Sequence, residues 1–319
     1  MRRIASILVV IALAACGSDA ATAPSTTTAT STTAPSSSTT LGDQFPVTVE
    51  ADNGEVAIEE RPSSIISLSP TATEMLFAVG AGNQVVAVDD QSNYPEEAPA
   101  TDLSGFTPNL EAILSYHPDL VILSFEPADS PITEGLAQTG VPAIVLGGAE
   151  SLDEVYEQIE TIGTATGNEP EARELVLEMQ ADIDDIISET GEVGDGATYY
   201  HELDPSFFTA TSETFIGQIY GLFGMVNIAD AADTEGVRYP QLSAEYIVSA
   251  DPDLIFLADA DFGESAETLA QRPGWEGMTA LENGAVIELD GDIASRWGPR
   301  VVDFLRSVAA AVEQHAPRG

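Results

Sequence analysis

One unit of this chain occurs twice. Residues 109–123 read Asn-Leu-Glu-Ala-Ile-Leu-Ser-Tyr-His-Pro-Asp-Leu-Val-Ile-Leu, and residues 243–257 read Ser-Ala-Glu-Tyr-Ile-Val-Ser-Ala-Asp-Pro-Asp-Leu-Ile-Phe-Leu. Glu111, Ile113, Ser115, Pro118, Asp119 and Leu120 return as Glu245, Ile247, Ser249, Pro252, Asp253 and Leu254, at a constant offset of 134. Each copy opens on a residue suited to a helix N-cap, Asn109 or Ser243. Its Glu then falls in the first turn, where the helix dipole favours a carboxylate. Pro-Asp ends the helix, because the residue before Pro is pushed out of helical backbone. A short apolar run follows, as in a strand covered on both faces. Two copies of a helix-turn-strand unit so far apart predict two similar lobes.

The rest of the chain fits this frame. Ile65–Leu68 precedes a helical pattern over Thr71–Val79, and Val85–Val88 follows it. Leu110–Tyr116 precedes Leu120–Leu123, and Ile132–Gln138 precedes Ala143–Leu146. Short strands alternating with helices predict an α/β fold with mostly parallel sheets. Asp52-Asn53-Gly54 reads as a hairpin turn between Val47–Glu50 and Glu55–Ile58. Gly80-Ala-Gly82 reads as a turn after a helix. Between the repeats, Asn168-Glu169-Pro170 starts a helix and Gly191 stops it. Leu175, Val176, Met179, Ile183, Ile186 and Ile187 make one apolar stripe along it, opposite an acidic face. The expected architecture is two Rossmann-like lobes, 46–167 and 192–319, joined by one rigid helix over 168–191. Val301, Val302, Phe304, Leu305, Val308, Ala309 and Val312 form a further amphipathic stripe that packs on the second lobe.

The N-terminus reads as an address. Arg2 and Arg3 precede twelve mostly apolar residues, Ile4 to Ala15, too few to span a bilayer and suited to an export signal. Leu13-Ala14-Ala15-Cys16 resembles the lipobox of a bacterial lipoprotein. That resemblance implies cleavage after residue 15, lipidation of Cys16, and anchoring to the outer face of the cell membrane. Residues 16–45 are rich in Ser, Thr, Ala and Pro and cannot bury enough surface to offset ordering entropy; they read as a tether.

Composition excludes several functions. The formal charge is −43, from 53 acidic residues against 10 Arg and no Lys. Such a chain repels phosphate backbones and anionic head groups, so nucleic acid is not its partner and lipid contact is confined to the anchor. One Cys rules out an intrachain disulfide or a multi-cysteine zinc site. There is no GxSxG, P-loop or HExxH motif, and the three His are far apart in sequence. Neither a resident cofactor nor a metal site is expected.

Taken in order, the segments Ile65–Gly82, Asn93–Glu97, Asn109–Ile113 with Pro118–Leu120, Tyr239–Glu245, Arg272–Trp275 and Ser295–Arg300 resemble the solute-binding lipoproteins of ABC importers that handle vitamin B12 and ferric siderophores. The resemblance covers nearly all of residues 47–315. It implies a monomer that captures a metal chelate, corrinoid or ferric siderophore and less readily haem, and delivers it unaltered to a permease and its ATPase. Glu111 and Glu245 match the glutamates that dock each lobe onto permease arginines. A cleft between the lobes is then expected at Ser69, Pro70, Thr71, Asn93, Tyr94, Gly105 and Phe106 from the first lobe. From the second lobe it draws Tyr200, Glu202, Phe208, Arg238, Tyr239, Arg296 and Trp297. Tyr199 alternates with Tyr200 along its strand, so at most one of the pair faces the cleft. Arg238 and Arg296 stand out as possible anion receptors, and His201 as an iron ligand for haem. Trp275 reads as a packing residue. The resemblance also implies little lobe movement, since a continuous helix resists hinge bending. Two rivals are a lipid-anchored hydrolase using Asp or Glu, and an acidic adhesion or scaffold protein.

Overall fold

A computed structural model describes residues 44–191 and 193–315. Cys16, the expected signal and the tether up to residue 43 lie outside the described residues. Phe45, at the expected end of the tether, packs against the core.

The first half begins with an antiparallel hairpin, β1 (Val47–Ala51) and β2 (Gly54–Ile58). Gly54 takes φ 93°, a left-handed turn conformation open to glycine. The next strands are β3 (Ile65–Leu68), β4 (Val85–Asp89), β5 (Ala100–Leu103), β6 (Leu120–Leu123) and β7 (Ala143–Val145). They form a parallel sheet in the order β5-β4-β3-β6-β7. The helices are α1 (Pro70–Ala78), α2 (Leu110–Leu114), α3 (Pro131–Thr139) and α4 (Leu152–Thr166). Alternate strand residues serve two faces. Ile65, Val88, Leu120, Ile122 and Ile144 join one apolar cluster, and Ile66, Leu68, Ala87, Val121 and Leu123 join another with Ile113 and Leu136.

The second half repeats the plan with β8 (Thr198–Glu202), β9 (Val226–Asn227), β10 (Leu254–Leu257) and β11 (Val286–Glu288). All are parallel, in the order β9-β8-β10-β11. Its helices are α6 (Phe215–Gly221), α7 (Ala244–Ala250), α8 (Ala266–Ala270), α9 (Thr279–Glu282), α10 (Gly291–Ser295) and α11 (Val301–His315). The helix numbered α5 (Glu169–Thr190) connects the halves and packs on α4 of the first and α11 of the second. At 1.5 Å per residue it is about 33 Å long. Val176, Met179 and Ile183 are buried beneath it, while Leu175, Ile186 and Ile187 are only partly covered. One apolar cluster runs from the first half through α5 into the second.

The repeated unit does the same work in each half. Asn109 and Ser243 cap α2 and α7 by accepting from the NH of Ala112 and Tyr246. Asp119, just before β6, accepts from Ser63 and Ser64 at the entry to β3. Asp253, just before β10, accepts from the NH and hydroxyl of Thr198 at the start of β8, both at 2.8 Å. Each Asp therefore sets the register of the neighbouring parallel strand. Helix α2 is shorter than its pattern, ending at Leu114, because His117 turns to φ 53° before Pro118. Among the described residues, no helix is long and apolar enough to cross a membrane.

A candidate ligand cavity between the halves

Parallel strands leave their C-terminal ends free for a ligand. In the first half those ends supply Leu68 at the end of β3 and Ser69 after it, Asp89 at the end of β4 and Gln91 after it, and Ser124, Phe125 and Glu126 after β6. Pro70 and Thr71 at the start of α1, with Gly105 and Phe106, complete this wall. Ser295, Arg296 and Trp297 of the second half close the other side of a cavity of about 260 Å³. Phe106 is 81% exposed and Phe125 66% exposed, so the mouth carries two aromatic faces without partners in the solvent direction. Trp297 meets Phe125 edge-on at 5.4 Å and donates its indole NH to Gln158 at 3.1 Å. Gly105 is required by close approach: a Cβ there would lie 2.7 Å from Asp89 Oδ2 and 2.7 Å from the Leu68 carbonyl.

The floor is polar and self-satisfied. Ser69 caps α1 and accepts from Ser124 at 2.9 Å. Below it runs a chain from Asp89 through Ser92, Thr73 and Ser67 to the Ser69 carbonyl. In it Ser92 donates to Asp89, Thr73 donates to Ser67, and Ser67 donates to the Ser69 carbonyl. Burial pushes the Asp89 carboxyl up, against the opposing hydrogen bond from Ser92.

Arg296 reaches the cavity already engaged. Its Nη1 donates to Glu74 and to Asn93, each at 2.9 Å, and its Nη2 donates to Asp292 at 2.7 Å and to the Gln91 carbonyl at 3.2 Å. Only its Nε–H and flat face are left for a ligand, which corrects the expectation of a free anion receptor. Arg300 adds Nε to Glu74 Oε2 at 2.9 Å and Nη2 to Oε1 at 2.6 Å, and its guanidinium lies 4.3 Å over the Tyr94 ring.

Of the expected cleft residues, Ser69, Pro70, Thr71, Gly105, Phe106, Arg296 and Trp297 come together here. Asn93 and Tyr94 lie beside the cavity as partners of Arg296 and Arg300. The remaining second-half residues do not line it. Tyr199 stacks on Tyr220 at 4.2 Å and Tyr200 packs edge-on to Trp275, so both belong to the core. Glu202 is fully buried in a bidentate pair with Arg272. Arg238 holds Glu150 at 2.7 Å and the Glu213 carbonyl at 2.6 Å. Phe208 pairs with Gln241 in an isolated bridge, and Tyr239 is half-exposed away from the cavity. His201 is fully buried, bonded to Tyr220 at 2.8 Å, and desolvation lowers its pKa to about 3. It is no ligand for a haem in this cavity. Among the described residues, no group of three His, Cys, Asp or Glu side chains is arranged to hold a metal.

Two α/β halves, one bracing helix and an aromatic-rimmed cavity at the strand ends find their counterpart in a known family. The family model described as periplasmic binding protein matches residues 65–293. The chain belongs to this family. It is 30% identical over 97% of its length to an uncharacterised ABC transporter substrate-binding lipoprotein of Bacillus subtilis, covering 95% of that protein. It is 31% identical to a cobalamin-binding protein of Halobacterium salinarum, covering 95% of this chain and 83% of that one. The solved periplasmic vitamin B12-binding protein of Vibrio cholerae superposes with a TM-score of 0.62 at 27% identity, over 79% of this chain and 96% of the other. This periplasmic binding protein is thus a solute-capturing component of an ABC importer and not an enzyme. The hydrolase and scaffold alternatives fall with that assignment.

Sequence reading missed several cavity residues of this binding protein, notably Asp89, Gln91, Ser124 and Phe125. A signal for them existed. Ser124 and Phe125 directly follow the strand of the first repeat, and Asp89 ends a strand, where α/β sheets present their ligands.

Proposed function

We propose that this binding protein captures a corrinoid-type metal chelate without net negative charge and hands it to a membrane permease served by a cytosolic ATPase. The observation that carries the choice of ligand is the state of charge at the cavity. Its single guanidinium is committed to Glu74 and Asp292, and Glu126 adds a carboxylate to the lining. An anionic ferric catecholate would meet no free cation there. Phe106, Phe125 and Trp297 offer flat apolar surface suited to a macrocycle. At about 260 Å³ the cavity takes one edge of such a ligand, with the rest resting on the aromatic rim. The metal is cargo bound within the ligand, and the protein needs no cofactor.

Docking on the permease falls to Glu111 and Glu245. Both are exposed in the first turns of α2 and α7. Helices of βα units run against their strands, so these turns open on the strand-end edge that carries the cavity. A bidentate carboxylate–guanidinium contact from each half would fix orientation as well as add affinity. The protein acts as a monomer held by lipid on Cys16 at the outer face of the membrane.

Calorimetric titration with cyanocobalamin tests the ligand. One-to-one binding that Trp297→Ala weakens at least tenfold is expected. A folded protein that ignores cyanocobalamin, or that prefers a ferric catecholate, refutes the assignment. Paired Glu111→Ala and Glu245→Ala changes should leave binding intact and abolish uptake into cells.

A further inference from the structure

Glu74 is a buried carboxylate with no place in the cavity lining. It sits one turn into α1, three residues after Thr71, which does line the cavity. Its side chain is 1% exposed, and both oxygens face the second half. Oε1 accepts from Arg296 at 2.9 Å and Arg300 at 2.6 Å, and Oε2 accepts from Arg300 at 2.9 Å. These partners lie 222 and 226 residues away in sequence. Asp292 bonds both Arg296 and Asn93, each at 2.7 Å, and so balances the second guanidinium. Between the two arginines the chain carries Trp297, the aromatic wall of the cavity. Trp297 is itself held on the first half by Gln158 and Phe125.

A buried ion pair contributes little net stability, because desolvation offsets the Coulomb attraction; apolar packing of the same volume does as well. What a carboxylate receiving two forked guanidiniums supplies is direction. We propose that Glu74 is a positioning residue for the cavity: by receiving Arg296 and Arg300 it fixes residues 295–300 of the second half, and with them Trp297, against the first half. The halves are joined by α5 and by the exposed Arg238–Glu150 pair, and this clamp adds a buried joint at the cavity itself. With the clamp closed, Trp297 is already placed when a ligand arrives. The effect on ligand affinity rests on the function proposed above; the positioning of the segment does not.

The test compares Glu74→Gln, which keeps shape and removes charge, with Arg300→Lys, which keeps charge and removes the forked contact without touching the cavity lining. Arg306→Gln serves as the control, since it breaks an exposed ion pair between α11 and α5. In ligand-free protein, both clamp variants should speed hydrogen exchange at 295–300 and 91–94 at least tenfold. Strands β3, β6, β8 and β10 should keep wild-type protection, and Trp297 should become more accessible to acrylamide quenching. The control should do none of this. Cyanocobalamin affinity should then fall at least tenfold in both clamp variants. Wild-type exchange at 295–300 in Glu74→Gln and Arg300→Lys would overturn the proposal, as would equal loss of protection in every strand. Local loosening with unchanged affinity would overturn the positioning role. If wild-type protein binds no cyanocobalamin, the ligand assignment fails instead, and exchange alone decides the clamp.

Discussion

Asp259 follows β10 and is 2% exposed, yet neither carboxylate oxygen has a hydrogen-bond partner among the described residues. Burial raises its pKa to about 7, with the Glu202 charge adding to the shift. The unfolded value is near 3.9. The folded state therefore binds an extra proton between these values, so its stability is greatest at low pH within this window and falls as pH rises from about 4 to about 7. Above that it levels off. At about 1.4 kcal/mol per unit the loss reaches about 4 kcal/mol as an upper figure. Asp259→Asn, which resembles the protonated form, should flatten this slope and raise stability at pH 8 by roughly 1–4 kcal/mol. Urea unfolding at pH 5 and pH 8 measures it; a variant with the wild-type slope would show that another group titrates. The scarce arginines carry a related lesson. Their rarity marks Arg238 and Arg296 in the sequence, but not as ligand contacts. Arg173, Arg238, Arg272, Arg296, Arg300 and Arg306 all pair with carboxylates of the same chain. With so many carboxylates, which one each Arg meets depends on the fold.

Helices α4 and α5 meet so closely that their contact has no spare volume. A methyl group on Gly163 would overlap the Ala172 methyl and approach the Asn168 carbonyl to 3.2 Å. Alanine raises helix propensity by about 1 kcal/mol over glycine, but overpacking a rigid contact costs about 1–3 kcal/mol. Packing should win, because Ala172 is fully buried in a helix that both halves hold. Gly163→Ala is expected to lower stability by about 1–2 kcal/mol, and Ala172→Gly in the same protein to recover part of it. Thermal melts of the single and double variants check this; a stabilised single variant would mean that the bracing helix yields. The stripe on α5 was readable from spacing, but its depth was not. Leu175, Ile186 and Ile187 share the period of Val176, Met179 and Ile183 and are left partly uncovered, because a neighbouring helix covers an arc narrower than the apolar stripe.

A net charge of −43 acts on the molecule as a whole. Like charges spread over one surface repel most strongly when folded together, and salt screens them over about 10 Å at 0.1 M. The melting temperature should therefore rise by several degrees between low salt and 0.5 M sodium chloride. Differential scanning calorimetry in both conditions tests it, and an unchanged transition would mean that internal pairs already neutralise the field. The clamp at Glu74 should be insensitive to the same change, since buried pairs are screened little.

Local pattern was enough to establish the two parallel sheets, the bracing helix and the repeated unit. Caps, strand runs and apolar periods are each encoded within a dozen or so neighbouring residues, and they act before any distant contact forms. Ser69 and Thr71, at a strand end and a helix start, were open to the same local reading, whereas Gly105 and Trp297 were named only through the family resemblance. The cavity's charge was not readable in this way. It depends on Glu74 meeting Arg296 and Arg300 across 222 and 226 residues. Burial in the core likewise took Tyr200, Glu202 and His201 out of contention for the ligand. Pairings between residues so far apart are selected by how the two halves close on each other, and no window along the chain contains both partners.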